Sequence, residues 1–258
     1  MRRRPRTGTL AFGVRLASRG GAAAIGFVLA AAGALASAAV AVVLHGVAAR
    51  GGHPSDALPV VASSAIAWGA GVTLAFGAAL RAFSRDKDEG IIALLRARRI
   101  GPTEYLWGRT AGLALVLAGA VGGGTLIASL SFVVSLGPSG HALRASVGAL
   151  AYSIAFALAV APLALATLGG RSRVGGYLTF LAVLVLPELL EPWTRRLVRW
   201  RELTSVEAAL TAIRAGARAP IAHGPELFRA LAALSALAAL SYMLALSRLR
   251  RDVFKEAP

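Results

Sequence analysis

Six long apolar blocks constrain this chain more than any other feature of its sequence. They run roughly Ala22–Ala49, Leu58–Phe83, Ala111–Leu136, Leu143–Leu168, Val174–Leu190 and Leu227–Ser247. A lipid core offers no water to backbone N–H and C=O groups, so an apolar segment of about 20 residues that crosses it must be helical. Of 258 residues, 57% are hydrophobic and only 16% are charged; a water-soluble domain carries about a quarter charged residues. The expectation is therefore an all-α polytopic membrane protein, a single domain over residues 1–258 with six transmembrane helices. Ala and Gly dominate the blocks, which lets helices pack through small residues. The fifth block is the shortest, and Pro187 is expected to end it.

The net charge of +16 is spread between and beside the blocks rather than along one stripe. That distribution suits anionic headgroups and the positive-inside rule, and it argues against nucleic acid as a partner. Arg2, Arg3, Arg4, Arg6, Arg15 and Arg19 precede the first block, Arg81–Arg109 separates the second from the third, and Arg248–Lys255 follows the last. With the N-terminus inside, these fall on one side, so both termini and the 84–109 segment are expected to be cytosolic. The 1–21 stretch resembles a signal peptide's basic end, but the apolar run after it is too long, so it is expected to be retained. The chain has no cysteine, which excludes disulfides and thiol chemistry.

The segment from Phe83 to Arg109, "FSRDKDEGIIALLRARRIGPTEYLWGR", interrupts the oily pattern. Asp86 and Glu89 have the spacing of an acidic capping box. Ile91, Leu94 and Leu95 form an apolar stripe, and Arg96, Arg98 and Arg99 close the turn, acids early and bases late as the helix dipole favours. Gly101–Pro102 breaks the helix and starts the next. Tyr105 and Trp107 then fall where an aromatic belt belongs. These letters predict a short amphipathic helix across the cytosolic face, followed by an elbow into the third span.

Glu89-Gly90, then Leu94-Leu95, Ile100, and Glu104-Tyr105-x-x-Gly108-Arg109 together resemble the cytosolic segment between the second and third spans of ABC type-2 transporter permeases. The resemblance implies that this segment is a coupling helix docking into a separate ATP-hydrolysing subunit. Glu89 and Arg98 or Arg99 would contact that partner, and Gly90 would allow close backbone approach. More loosely, the whole chain is similar to the family: a basic amphipathic N-terminal helix over Arg3–Arg19, six spans, and an outer helical excursion at 191–226. One departure is Arg99, which stands where many members have proline and is expected to alter the elbow. The chain lacks a G-x-x-x-x-G-K-[ST] phosphate-binding loop, so ATP and Mg would sit on the partner. This chain is expected to be no enzyme itself and to bind no cofactor. A second permease copy or a sister permease would complete the transporter, in a bacterial inner membrane among its lipids. Few ionisable residues lie in the spans, which suits an exporter of hydrophobic cargo.

Other readings are carried by other residues. Residues 191–226 place Leu197, Trp200, Leu203 and Val206 near helical spacing among arginines. They read either as an amphipathic helix at the outer interface or as a solvated helical linker. Gly137-x-Ser139-Gly140 and His223 resemble the serine and histidine of rhomboid intramembrane proteases, although the second block lacks a His or Asn for an oxyanion hole. His45, His53, His141 and His223 lie at or beyond the outer span ends without metal-ligand spacing, and Glu188 and Glu191 flank Pro187. A non-transporting scaffold or assembly factor of permease-like shape is the alternative to a transporter.

Overall fold

The computed structural model describes residues 7–19, 21–48, 57–137, 139–170, 173–194 and 201–251. Arg2–Arg6, Arg50, His53, Arg171, Arg195–Trp200 and Lys255 lie outside the described residues. Among those described, every regular element is helical. The order is α1 (Thr7–Ala17), α2 (Gly21–Ala48), α3 (Ala57–Ala65), α4 (Val72–Ala79), α5 (Ala82–Asp88), α6 (Ile91–Ala97), α7 (Pro102–Leu117), α8 (Gly123–Leu136), α9 (Gly140–Leu168), α10 (Arg173–Thr194), α11 (Val206–Arg218) and α12 (Pro220–Leu249). A π-helical segment, Ile66–Gly71, joins α3 to α4, and another, Ala118–Gly122, joins α7 to α8. The two joined pairs form continuous rods, the second and third of the six spans, called here the second and third rods.

Six helices are long and apolar enough to cross a membrane. They correspond to the six blocks, with ends that differ by several residues. Pro102 begins α7 at its first turn, where a missing N–H costs nothing. Ser139 caps α9 by accepting from the Ala142 N–H at 3.1 Å. Pro187 does not end α10, which continues to Thr194.

α9 is the central helix. Its buried face carries Tyr152, Phe156, Val160 and Leu165, and α3, α7, α8, α11 and α12 all pack against it. Much of the surface of α2, α8 and α10 is apolar: Leu35 is 70% exposed, Val134 81% and Leu178 65%. Exposed apolar area on this scale costs free energy in water and is neutral in hydrocarbon, which is what a multi-pass membrane protein requires.

In the connection between α10 and α12, residues 195–200, with Leu197 and Trp200, lie outside the described residues, and one helix dominates the rest. α11 folds back along the bundle, burying Val206, Ala209, Leu210 and Ile213 against α9 and α12. Its N-terminal end reaches Tyr152, about 18 Å along α9 from Gly140 at 1.5 Å per residue.

Candidate functional site

The bundle has two ends. One, here the near end, carries α1, α5, α6 and the end of α12; the other is the far end. At the near end the chain turns sharply three times at nine-residue intervals. Arg81, Gly90 and Arg99 adopt left-handed conformations, with φ of 53°, 72° and 57°. Arg81 and Arg99 are the non-glycine residues with positive φ among those described. Each left-handed position costs an L-residue about 1–2 kcal/mol, and such strain concentrates where structure over-determines it.

The three turns have identifiable partners. After Leu80 ends α4, the Arg81 and Phe83 N–H groups donate to Leu168 and Gly169 carbonyls, tying the segment to the end of α9. At Arg99 the chain forms a Schellman cap. The Ile100 N–H donates to Leu95 O at 3.0 Å and the Arg99 N–H to Arg96 O at 2.9 Å. Proline, fixed near φ −65°, could not occupy this left-handed position, so Arg99 makes an elbow that proline would not.

Asp86 holds the segment together. It is fully buried, and so is Arg109, which donates to its carboxylate through Nε at 3.0 Å and through a terminal nitrogen at 2.8 Å. The Tyr105 hydroxyl donates to the same carboxylate. A bidentate guanidinium–carboxylate pair fixes orientation as well as distance. The capping-box reading of Asp86 and Glu89 is thereby corrected. Asp86 faces the interior with Ala82 and Phe83, Glu89 is solvent-facing, and α6 starts at Gly90 without a side-chain cap. Tyr105, expected at the aromatic belt, is buried instead.

α1 braces the segment from the other side. It lies along α7 with backbone on backbone. A Cβ on Gly13 would overlap the Gly108 carbonyl, one on Gly112 would overlap Gly13, and one on Gly108 would come within 2.7 Å of the Thr9 carbonyl. This is a small-residue crossing in which Gly108 and Gly112 accept Thr9 and Gly13. The end of α12 adds two bonds: Tyr242 donates to Thr103 O at 3.1 Å, and Arg248 to Ala166 O at 2.6 Å.

The candidate residues therefore divide in two. Glu89, Gly90, Leu94, Arg98, Arg99 and Glu104 are exposed; Leu95, Tyr105, Gly108 and Arg109 are buried; Ile100 is half-buried. Ile92 joins Leu95 on the inward face of α6, and Leu94, 54% exposed, points away from it. Glu89 makes a loose ion pair with Arg85 at 3.9 Å, of a kind worth little in solvent. The expected stripe of Ile91, Leu94 and Leu95 is thus rotated by about one residue.

Asp86 is the residue that sequence reasoning placed wrongly. Its signal was present: an acid at helical spacing from Ala82 and Phe83, and a Tyr and an Arg four apart on the opening turns of α7.

A second polar cluster lies deeper, towards the far end. Glu207 accepts from Trp68 Nε1 at 2.7 Å and from the Tyr152 hydroxyl. Arg214 stacks over the Tyr152 ring, 3.9 Å from its centroid, and donates to Ser64 at 2.7 Å. Nearby, Glu188 accepts from Ser205, Glu191 pairs with Arg201, and Arg229 donates to Glu202 at 2.6 Å. Partial burial pushes the Glu202 carboxyl upward, but its backbone N–H and Arg229 outweigh this and hold it below the ordinary range.

The remaining candidates are separately engaged. The Ser139 hydroxyl caps α9, His223 bonds Glu226 at 3.0 Å, and His45 meets the Ser135 carbonyl. Among the described residues no group of three or more His, Asp or Glu side chains could hold a metal ion. Compared with known proteins, the chain matches no family model, no curated protein and no solved structure.

Proposed function

We propose that this chain is the membrane-spanning subunit of an ATP-driven transporter of the ABC type-2 kind, probed from the cytosol by a separate ATP-hydrolysing subunit. One observation carries the reading. A short helical segment between the second and third rods presents Glu89, Leu94, Arg98, Arg99 and Glu104 to solvent while Asp86, Tyr105 and Arg109 bolt its back to α7. A loop that only joined two spans would gain nothing from a buried bidentate ion pair, whose desolvation alone costs several kcal/mol per ion. A lever that passes force needs such rigidity.

In this reading the partner grips the exposed face of α6 and the two turns beside it. Its movement on binding and hydrolysing ATP, with Mg held there, reaches α7 through Asp86–Arg109 and α9 through the Arg81 and Phe83 backbone bonds. Packed helices then shift as bodies and change which side of the membrane the pathway opens to. A second copy or a sister chain supplies the other half. The basic residues at the near end support a cytosolic side for it by the positive-inside rule. The apolar spans favour an exporter of hydrophobic cargo in a bacterial inner membrane.

The test uses the absence of cysteine. A cysteine at the exposed Ala97 is crosslinked to amines in native membranes, and the trapped partner is identified by mass spectrometry. Capture of a protein with a phosphate-binding loop, lost on changing Glu89 or Gly90, supports the reading. Capture of other proteins only, with no ATPase, overturns it in favour of the scaffold.

A further inference from the structure

The second and third rods both change winding at mid-length. Residues Ile66–Gly71 and Ala118–Gly122 are π-helical, each flanked by ordinary α-helix. A π-turn carries one residue too many for the α ladder, weakens it locally, and is often found where a helix has to bend. The two segments touch. A Cβ on Gly71 would come within 2.6 Å of the Phe156 ring on α9 and 2.9 Å of Val121 in the other segment. They also lie at matched distances from the near-end segment. Gly71 to Arg81 and Arg109 to Ala118 each measure about 14–15 Å along a helix.

Gly71 is explained by that close packing, but four other glycines here are not. Cβ atoms on Gly69, Gly119, Gly122 and Gly123 would each meet open space, with nothing within 4 Å. Glycine disfavours helix relative to alanine, so these positions give up helical stability without close contact in return. α9 has its own weak point about 9 Å from Phe156 towards the near end, because Pro162 lies inside the helix and cannot donate to the preceding turn.

Each side of this level is internally fastened. The near body contains α1, α5, α6, the start of α7 and the end of α9, joined by Asp86–Arg109, the Gly13–Gly108 crossing and the Arg81–Leu168 bond. The far body is joined by Trp68–Glu207, Tyr152–Glu207 and Arg214–Ser64. Since Trp68 belongs to the far body, bending in the second rod falls on Gly69–Gly71.

We propose that Gly69–Gly71 and Gly119–Gly123 form a paired hinge at mid-membrane, about which the near body tilts relative to the far body. It rests on the transporter reading only for its purpose, since the tilt itself needs no partner.

Spin labels on paired cysteines test it, in the full chain alone in lipid nanodiscs. The pair Ala93 and Val134 spans the hinge; Arg15 with Ala93 and Val61 with Val134 stay within one body. All four sites are exposed. The spanning pair is expected to give a distance distribution about twice as wide as the controls. Replacing Gly119, Gly122 and Gly123 by alanine, which the open space accommodates, is expected to narrow it to control width. A wild-type spanning pair as narrow as the controls, or a triple variant as wide as wild type, overturns the hinge. A wide spanning pair in a chain that captures no ATPase keeps the hinge and rejects the transporter reading.

Discussion

The two polar clusters, one buried and one part-buried, use the same chemistry in opposite ways. At the near end Asp86 and Arg109 meet directly, both enclosed, with Tyr105 completing the set. Deeper in, Glu207 and Arg214 are on one helix, yet each meets neutral partners: Trp68, Tyr152 and Thr211 for the acid, Ser64 and the Tyr152 ring for the base, whose buried Nε has no hydrogen-bond partner among the described residues. The first joins residues 19 and 23 apart in sequence, the second residues 55 to 150 apart. A direct buried pair resists reorientation, because separating it leaves two naked charges. A carboxylate held by neutral donors loses less when a bond lengthens. The near cluster is therefore the stiffer joint, and the far one holds α11 against the bundle.

The sharpest way to break this contrast is to remove one partner from each. Asp86→Ala or Arg109→Ala leaves an unpaired buried charge and is expected to destabilise by about 3–5 kcal/mol. Glu207→Gln keeps a carbonyl acceptor for Trp68 and Tyr152 and is expected to cost about 1–2 kcal/mol. Unfolding titrations in mixed micelles measure both, and equal losses would erase the distinction.

Next in size is the brace on the near body. Gly13→Ala pushes a methyl into the Gly108 carbonyl, so α1 must separate from α7 at a cost of about 1–3 kcal/mol. Faster proteolysis within α1 is the expected sign. Gly8→Ala, where the added Cβ meets open space, is the neutral control.

Smaller still is the elbow at Arg99, and its sign is reversed. Arg99→Gly removes the left-handed penalty and is expected to stabilise by about 1 kcal/mol in the same titration. If Arg99 also touches a partner, the gain in stability comes with weaker partner capture.

The smallest effect is at Glu202. Its folded-state pKa lies below the ordinary 4.5, so its contribution is fully present above that value and is lost as pH falls through the lower, folded one. Hydrogen exchange around Arg201–Leu203 is expected to rise only below pH 4.5. Arg229→Met is expected to weaken that dependence, since the backbone hydrogen bond to Glu202 remains.

How much of this the sequence disclosed follows from range. Six spans were legible because a bilayer demands about 20 apolar residues and nothing else supplies them so plainly. The break between the second and third spans was legible from Gly101–Pro102 and the density of charge. The inward turn of Asp86 was not, because a capping box and a buried acid share the same letters, and only Tyr105 and Arg109 arriving from the next helix decide between them. The course of α11 was hidden for a stronger reason. Its apolar face reads the same against lipid or protein, and Glu207 finds Trp68 only once 139 residues of chain have folded. Pro187 misled because a proline is counted as a breaker, yet α10 absorbs it.

The central claim is that a partner reads the near body as one rigid piece. The most direct measurement is crosslinking yield from Ala97→Cys to the proposed ATPase partner in native membranes, compared between Asp86→Asn and Glu207→Gln backgrounds. Asp86→Asn weakens the bolt behind α6, whereas Glu207→Gln alters only the distant cluster. The account predicts that the first loses most of the captured ATPase and the second keeps it at equal expression. Equal yields in the two backgrounds, or an ATPase captured undiminished by Asp86→Asn, would contradict it.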